Sequence, residues 1–297
     1  VTATGAFNVA SISVEAGKIF NAGTFTHTLS AANGAAWTNN SSVTAANMGT
    51  STLVFTGAAG TITGATDFYN LTLNNGASTT ISSGASKVNN LLIVNGALTA
   101  NGLLTLVSTD AINARVGESS GSATGVKVQR YIAMGRRAFR FLTPGVTTTT
   151  PIKDNWQLGT HITGSTTGAN GFDLTASGNP SLFVYNNQVA SGTGWSSVPN
   201  TNATTLTSGV GYRLLLRGDR HDDQVIVNVT GLNMNAPVTL EATGSLTTGT
   251  VIMNASSVPP INNTTNATTE GYSLVGNPYM SPVNGELVTK SGLEQSY

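Results

Sequence analysis

Charge is scarce in this chain. Charged side chains make up 9% of its 297 residues, against about 25% in an ordinary globular protein. Lys and Arg number 13, Asp and Glu number 13, and the net charge is zero. A nucleic-acid binder relies on a basic excess to neutralise phosphates, so no nucleic-acid partner is expected. Cysteine is absent, which excludes disulfides and thiolate-ligated metal centres. No apolar run approaches the roughly 20 residues of a membrane-spanning helix, so no transmembrane segment is expected. Amphipathic helical periodicity is missing as well; the one helical candidate is a turn at Pro151–Trp156. With 39% hydrophobic residues, the chain does not have the composition of charge-driven disorder.

What is abundant is Thr, Ser, Asn, Ala and Gly, the last present 34 times. That composition suits short strands and tight turns. Residues 1–110 carry only Glu15, Lys18, Asp67, Lys87 and Asp110 as charges. Short alternating segments recur there, among them 11–14, 52–55, 70–73 and 90–93. Leu53, Leu71 and Leu91 fall at intervals near 20 residues, and the segment 68–76 resembles 87–96. Strand-type repeats of that length predict a solenoid, in which each unit buries its apolar face by stacking on the next. The expected form is a parallel β-helix. Asn33-Gly34, Asn75-Gly76, Asn95-Gly96 and Asn101-Gly102 would supply positive-φ corners. The same pairs would equally serve the hairpins of a β-sandwich.

Residues 113–125 are small and polar and read as a linker or a solenoid exit. From Val126 the pattern changes. Strand candidates occur at 126–132, 136–142, 181–185, 211–216, 224–229, 238–242, 251–253 and 272–275. Their spacing predicts an antiparallel sandwich or jelly roll. The fold class is therefore all-β: a stalk over 1–112, a linker over 113–125 and a sandwich module over 126–297. The chain is expected to continue beyond both ends.

Candidate chemistry is thin. Asp219, Asp222 and Asp223, with His221 among them, form the densest acidic cluster, an oxygen-rich set of the kind calcium takes; its plainer reading is a solvated hairpin tip. Arg217-Gly218-Asp219 is the integrin-type tripeptide, but it reads first as a turn between strands. Lys127, Arg130, Arg136, Arg137 and Arg140 form a basic patch able to take an acidic glycan or a partner module. Its plainer reading is pairing with Asp154, Asp173 or Asp219. Trp37, Trp156, Trp195, Tyr185 and Tyr212 are candidate sugar-stacking platforms or core residues. His27, His161 and His221 are far apart, and no Gly-x-Ser-x-Gly elbow accompanies them. No catalytic residue, cofactor or resident metal is assigned, and a non-enzymatic role is expected.

The second half also carries an ordered set of motifs. They are 129–132, 136–144, Asn155-Trp156-Gln157, 159–164, Gly171-Phe172-Asp173, 179–183, 211–220 and 272–279, with Ser281-Pro282 behind. Together they resemble a module of large surface proteins of Bacteroidetes exported by the type IX secretion system. The Asn-Leu-Thr-Leu repeats resemble the β-helical stalks that precede it. The resemblance implies an extracellular or cell-surface location and an adhesin-like structural role. It implies the secretion machinery as partner during export, and other cell-surface proteins or glycans afterwards. It transfers no catalytic motif. The alternative is a carbohydrate-binding or carbohydrate-degrading module of a secreted polysaccharide enzyme.

Overall fold

The structure, a computed structural model, describes residues 1–74, 76–186, 194–221, 234–254, 256–260 and 273–290. It is all-β, with 47% strand and 4% helix, and contains a parallel β-solenoid of about six turns. One face stacks Thr26–Leu29, Thr52–Phe55, Asp67–Leu73, Ser86–Val94 and Arg115–Val116, every neighbour parallel. A second face stacks Ile12–Val14, Asn33–Asn39, Ala59–Thr63, Ser78–Ser83, Ala97–Leu106 and Ser122–Ile132. Parallel pairing follows from the coil, because each strand meets the one a turn away.

The repeat spacing becomes ladders of like residues. Leu53 pairs with Leu71, Leu71 with Leu92, and Leu92 with Val116. Leu29, Phe55, Leu73 and Val94 form the next ladder inward of the same strands. Phe68, Val88, Leu106 and Val128 form a third. All are buried, and each buried Leu or Phe contributes about 1.5–3 kcal/mol. Trp37 is fully enclosed. Its Nε1 donates to Thr66 Oγ1 at 2.9 Å, and its ring meets Phe20 and Phe68 edge-on. A buried indole needs such a partner for its N–H.

Half-buried asparagines form a polar ladder beside the apolar ones. Asn90 Nδ2 donates to Asn70 Oδ1 at 2.8 Å, and Asn70 Nδ2 donates to Thr52 Oγ1 at 3.0 Å. Asn70→Ala removes both bonds. It is expected to lower unfolding free energy by about 1 kcal/mol in urea titration. An unchanged midpoint would show that water replaces the ladder without loss.

Two details differ from the sequence reading. The 68–76 repeat aligns with its next copy through Leu92, not Leu91. A bulge between Val88 and Leu91 adds one residue, so Leu91 sits opposite Asn70. Of the four Asn-Gly corners, Gly34, Gly76 and Gly102 have positive φ. Gly96 is required for a different reason: a Cβ there would lie 2.1 Å from the Ala77 carbonyl oxygen of the adjacent coil.

The segment 113–125, read as a linker or a solenoid exit, is part of the solenoid. Arg115–Val116 pairs with Leu91 and Leu92, and Ser122–Thr124 pairs with Ala97–Thr99. The coil therefore continues to Val128. There the strand Ser122–Ile132 changes partner type. On one side it is parallel to Ala97–Leu106; on the other, Val238–Leu246 runs antiparallel to it from Val126 to Ile132. Val146–Thr148 adds outside Val238–Leu246, again antiparallel. This covers a solenoid edge that would otherwise offer free N–H and C=O groups.

Beyond it lies a four-stranded antiparallel sheet in the order Ala138–Leu142, Tyr212–Leu216, Leu182–Tyr185, Trp195–Ser197. Leu182, Tyr212, Leu214 and Leu216 are buried. The helical turn expected near Pro151 appears as Ile152–Asp154 and Trp156–Gly159. Residues 251–253, read as a strand, are irregular. The expected strand 224–229 lies outside the described residues.

Candidate functional site

Strand alternation sends every second residue of the four-stranded sheet to its outer face. Phe139 and Phe141, Arg213 and Leu215, Phe183 and Tyr185, and Trp195 and Ser197 share that face. In the register, Phe141 and Phe183 flank Arg213 on either side. The Arg213 guanidinium carbon lies 4.7 Å from the Phe139 ring centre, 4.6 Å from Phe183 and 4.4 Å from Trp195. Such contacts contribute about 0.5–2 kcal/mol each, depending on desolvation. Phe141 faces Trp195 at 5.8 Å with an interplanar angle of 36°, and Tyr185 meets Trp195 edge-on at 5.2 Å. The rings are not core: Phe139 is 42% and Phe141 65% exposed. Large exposed apolar side chains gathered in one place mark an interaction surface.

Of the five aromatic candidates in the sequence, the structure brings Tyr185 and Trp195 together on this face. Trp37, Trp156 and Tyr212 are buried. Phe139, Phe141, Phe183 and Arg213 were missed as site residues. The period-2 alternation of 139/141 and 183/185 was the available signal.

The basic patch disperses. Lys127 pairs with Glu241 at 3.6 Å, and Arg130 is exposed on the strand that leaves the solenoid. Arg136 and Arg140 line one small depression with Leu216 and Val238. Arg137 lies near Arg217. Burial first, then that like charge, lowers the Arg217 pKa from its usual value. Of the expected pairings for the patch with Asp154, Asp173 or Asp219, Asp173 is instead engaged by Arg220.

That engagement forms a polar knot. Asp173 Oδ2 accepts from Arg220 Nη1 at 2.6 Å, from the Ile162 amide at 2.8 Å and from Gln157 Nε2 at 3.1 Å. His161 Nδ1 lies 3.5 Å away. Burial raises the Asp173 pKa, but the contacts with His161, Arg220 and Ile162 outweigh it, and the net shift is downward. Arg220 also donates to the Gln157 carbonyl at 3.0 Å. The knot ties the Trp156–Gly159 helix to residues 171–173 and 217–221.

Arg217-Gly218-Asp219 belongs to this region and is not a displayed tip. Gly218 is buried, and its carbonyl accepts from Thr160 Oγ1 at 2.7 Å. Asp219 bridges Thr160 in antiparallel fashion. Its Oδ1 accepts from the His221 amide and faces His221 Nδ1, each at 2.7 Å. As calcium candidates, Asp222 and Asp223 lie outside the described residues. Among the described residues no group of three potential metal ligands is found. His27 is buried with Phe7 stacked at 3.9 Å and Nε2 2.8 Å from the Ala22 carbonyl oxygen. Among the described residues no serine is hydrogen-bonded to any of the three histidines.

A cleft of about 910 Å³ lies between the last solenoid turns, at Asn95 and Gly117–Ser120, and residues 247–250 and 279–283. Half of its lining residues carry a hydroxyl, and Glu118 is the one charged residue among them. Backbone bonds cross beside it, from Gly249 N to Ser119 O and from Val116 N to Met280 O, both at 2.8 Å. Among the described residues no helix is long and apolar enough to cross a membrane. No protein-family model, curated protein or solved structure matches the chain.

Proposed function

We propose that the chain is part of a secreted or cell-surface structural protein of adhesin type. In this reading the solenoid is a spacer, and residues 126–297 form a sandwich-like head that carries the contact surface. The observation that carries the reading is the strand Ser122–Ile132, which is parallel on its solenoid side and antiparallel on its head side. One continuous backbone ladder thus links spacer to head. Six turns at a strand spacing of about 4.8 Å give a rod of roughly 30 Å. A spacer with few charges stays indifferent to its ionic surroundings. The motif set of residues 129–282 supports export by the type IX route of Bacteroidetes.

The second reading is a carbohydrate-binding or carbohydrate-degrading module of a secreted enzyme. The solvent-facing Tyr185 and Trp195 favour its binding form. The test of the first reading is location. The full-length gene product in a Bacteroidetes host is expected to be labelled by antibody on unpermeabilised cells. It is expected to remain inside a strain lacking the type IX apparatus. Labelling that requires permeabilisation overturns the surface reading; labelling that survives loss of the apparatus overturns the export route.

A further inference from the structure

We propose that the outer face of the four-stranded sheet binds an acidic polysaccharide. Sugar rings would stack on Phe141 and Trp195, and a uronate carboxylate would meet the guanidinium of Arg213. The inference rests on reading this region as the contact-bearing head and names the ligand class of that head.

Three observations converge on it. First, Arg213 is a cation held among three rings at 4.4–4.7 Å, and it has no acidic partner among the described residues. Its Nε is buried and makes no hydrogen bond. Lys87, Lys127 and Arg220 have acidic partners in Asp67, Glu241 and Asp173; what sets Arg213 apart is that it faces three aromatic rings in place of a carboxylate. A wholly apolar partner covering Arg213 would bury a charge without compensation, which is strongly unfavourable. An anionic partner supplies the missing charge, and a carboxylate matches the planar donors of a guanidinium.

Second, the surface around that charge is aromatic, with Phe139 and Phe141 exposed and Tyr185 and Trp195 half-buried beside them. Phe141 and Trp195 are the pair nearest to parallel, at 36°. Pyranose rings present C–H groups on their faces and hydroxyls at their edges. An aromatic shelf with a polar margin matches that distribution. Ser197, exposed two residues beyond Trp195 on the same strand, puts a hydroxyl at the margin.

Third, the shelf is rigid. It sits on paired antiparallel strands over buried Leu182, Tyr212 and Leu214, so little ordering is required on binding. With net charge zero, the protein exerts little long-range pull on an anion. Discrimination must then arise at Arg213 itself.

Calorimetric titration with an oligogalacturonate, its methyl ester and a neutral malto-oligosaccharide tests this. The acid form is expected to bind, and esterification to weaken binding about tenfold. Arg213→Gln should produce the same loss for the acid and little for the ester. Phe141→Ala, at a position too exposed to threaten folding, should weaken acid and ester alike by several-fold. Lys18→Gln, at an exposed cation of the solenoid, should leave affinity unchanged. Equal binding of acid and ester, or equal losses from K18Q and R213Q, overturns the specific role of Arg213. No binding of any uronate, or equal binding of poly-glutamate, overturns the ligand class. Neither result bears on surface labelling, so the two failures are distinguishable.

Discussion

Leu92→Ala is expected to lower the unfolding free energy by about 3 kcal/mol, and Leu91→Ala by less than about 1 kcal/mol. The residues are neighbours of the same type, so propensity and composition cannot separate them. Register does. Leu92 is fully buried, between Leu71 of the previous turn and Val116 of the next. Removing three carbons leaves a cavity that two flanking ladders of parallel hydrogen bonds keep from collapsing. Leu91 is half-buried opposite Asn70 and points outward. Urea unfolding of the two variants checks the pair. Equal losses would mean that the bulge between Val88 and Leu91 is misplaced and that the strand is shifted by one residue, which turns every side chain to the other face.

That contrast also marks how far the fold was legible. The Leu53–Leu71 interval and the Asn-Leu repeats carried the solenoid, because a coil repeats its inward residues in sequence. Leu91 was misjudged because a bulge inserts a residue without leaving a compositional trace. Of the two readings of 113–125, linker and solenoid exit, the strand pairing of 115–116 and 122–124 favours the second. Gly117, Ser119, Ser120 and Gly121 look flexible as composition, yet a Cβ at Gly121 would lie 1.9 Å from the Gly96 carbonyl oxygen. Small residues there serve close packing of coils.

The candidate site was legible only in part, and the reason is again topological. Trp195 and Tyr185 were visible as residue types, but nothing local separates them from Trp156 or Tyr212, which are buried. Arg213 lies in a run of leucines and resembles a core strand by composition. Its meaning depends on Phe139 and Phe183, which reach it from strands distant in sequence. The basic patch was the reverse case. Lys127, Arg130, Arg136, Arg137 and Arg140 are close in sequence, but Lys127 is taken up by Glu241, Arg137 lies by Arg217, and Arg136 and Arg140 share a small depression of their own.

Asp173→Asn is expected to cost about 3 kcal/mol at neutral pH and to flatten the acid limb of the stability curve. The Asp173 carboxylate is 10% exposed and faces Arg220, Gln157, the Ile162 amide and His161. The variant leaves Arg220 without its counter-charge, although Arg220 keeps its bond to the Gln157 carbonyl. The sign of the pH effect follows from the downward shift of the folded-state pKa from the ordinary value of an aspartate carboxyl. Above the unfolded-state pKa, Asp173 is ionised in both states and its stabilisation is fully present. As pH falls through the unfolded-state pKa and on through the lower folded-state pKa, the unfolded chain takes up the proton first. The stabilisation is then progressively lost. The Asp219 pKa is also depressed, because its contacts with His221 and the charge of His161 outweigh its desolvation. The wild type therefore loses stability below about pH 4 from two groups. The difference between wild type and Asp173→Asn isolates one of them. Urea midpoints measured from pH 6 to pH 2.5 should converge as the pH falls. A constant gap across that range would mean that Asp173 holds the knot by shape and hydrogen bonding, with its charge contributing nothing.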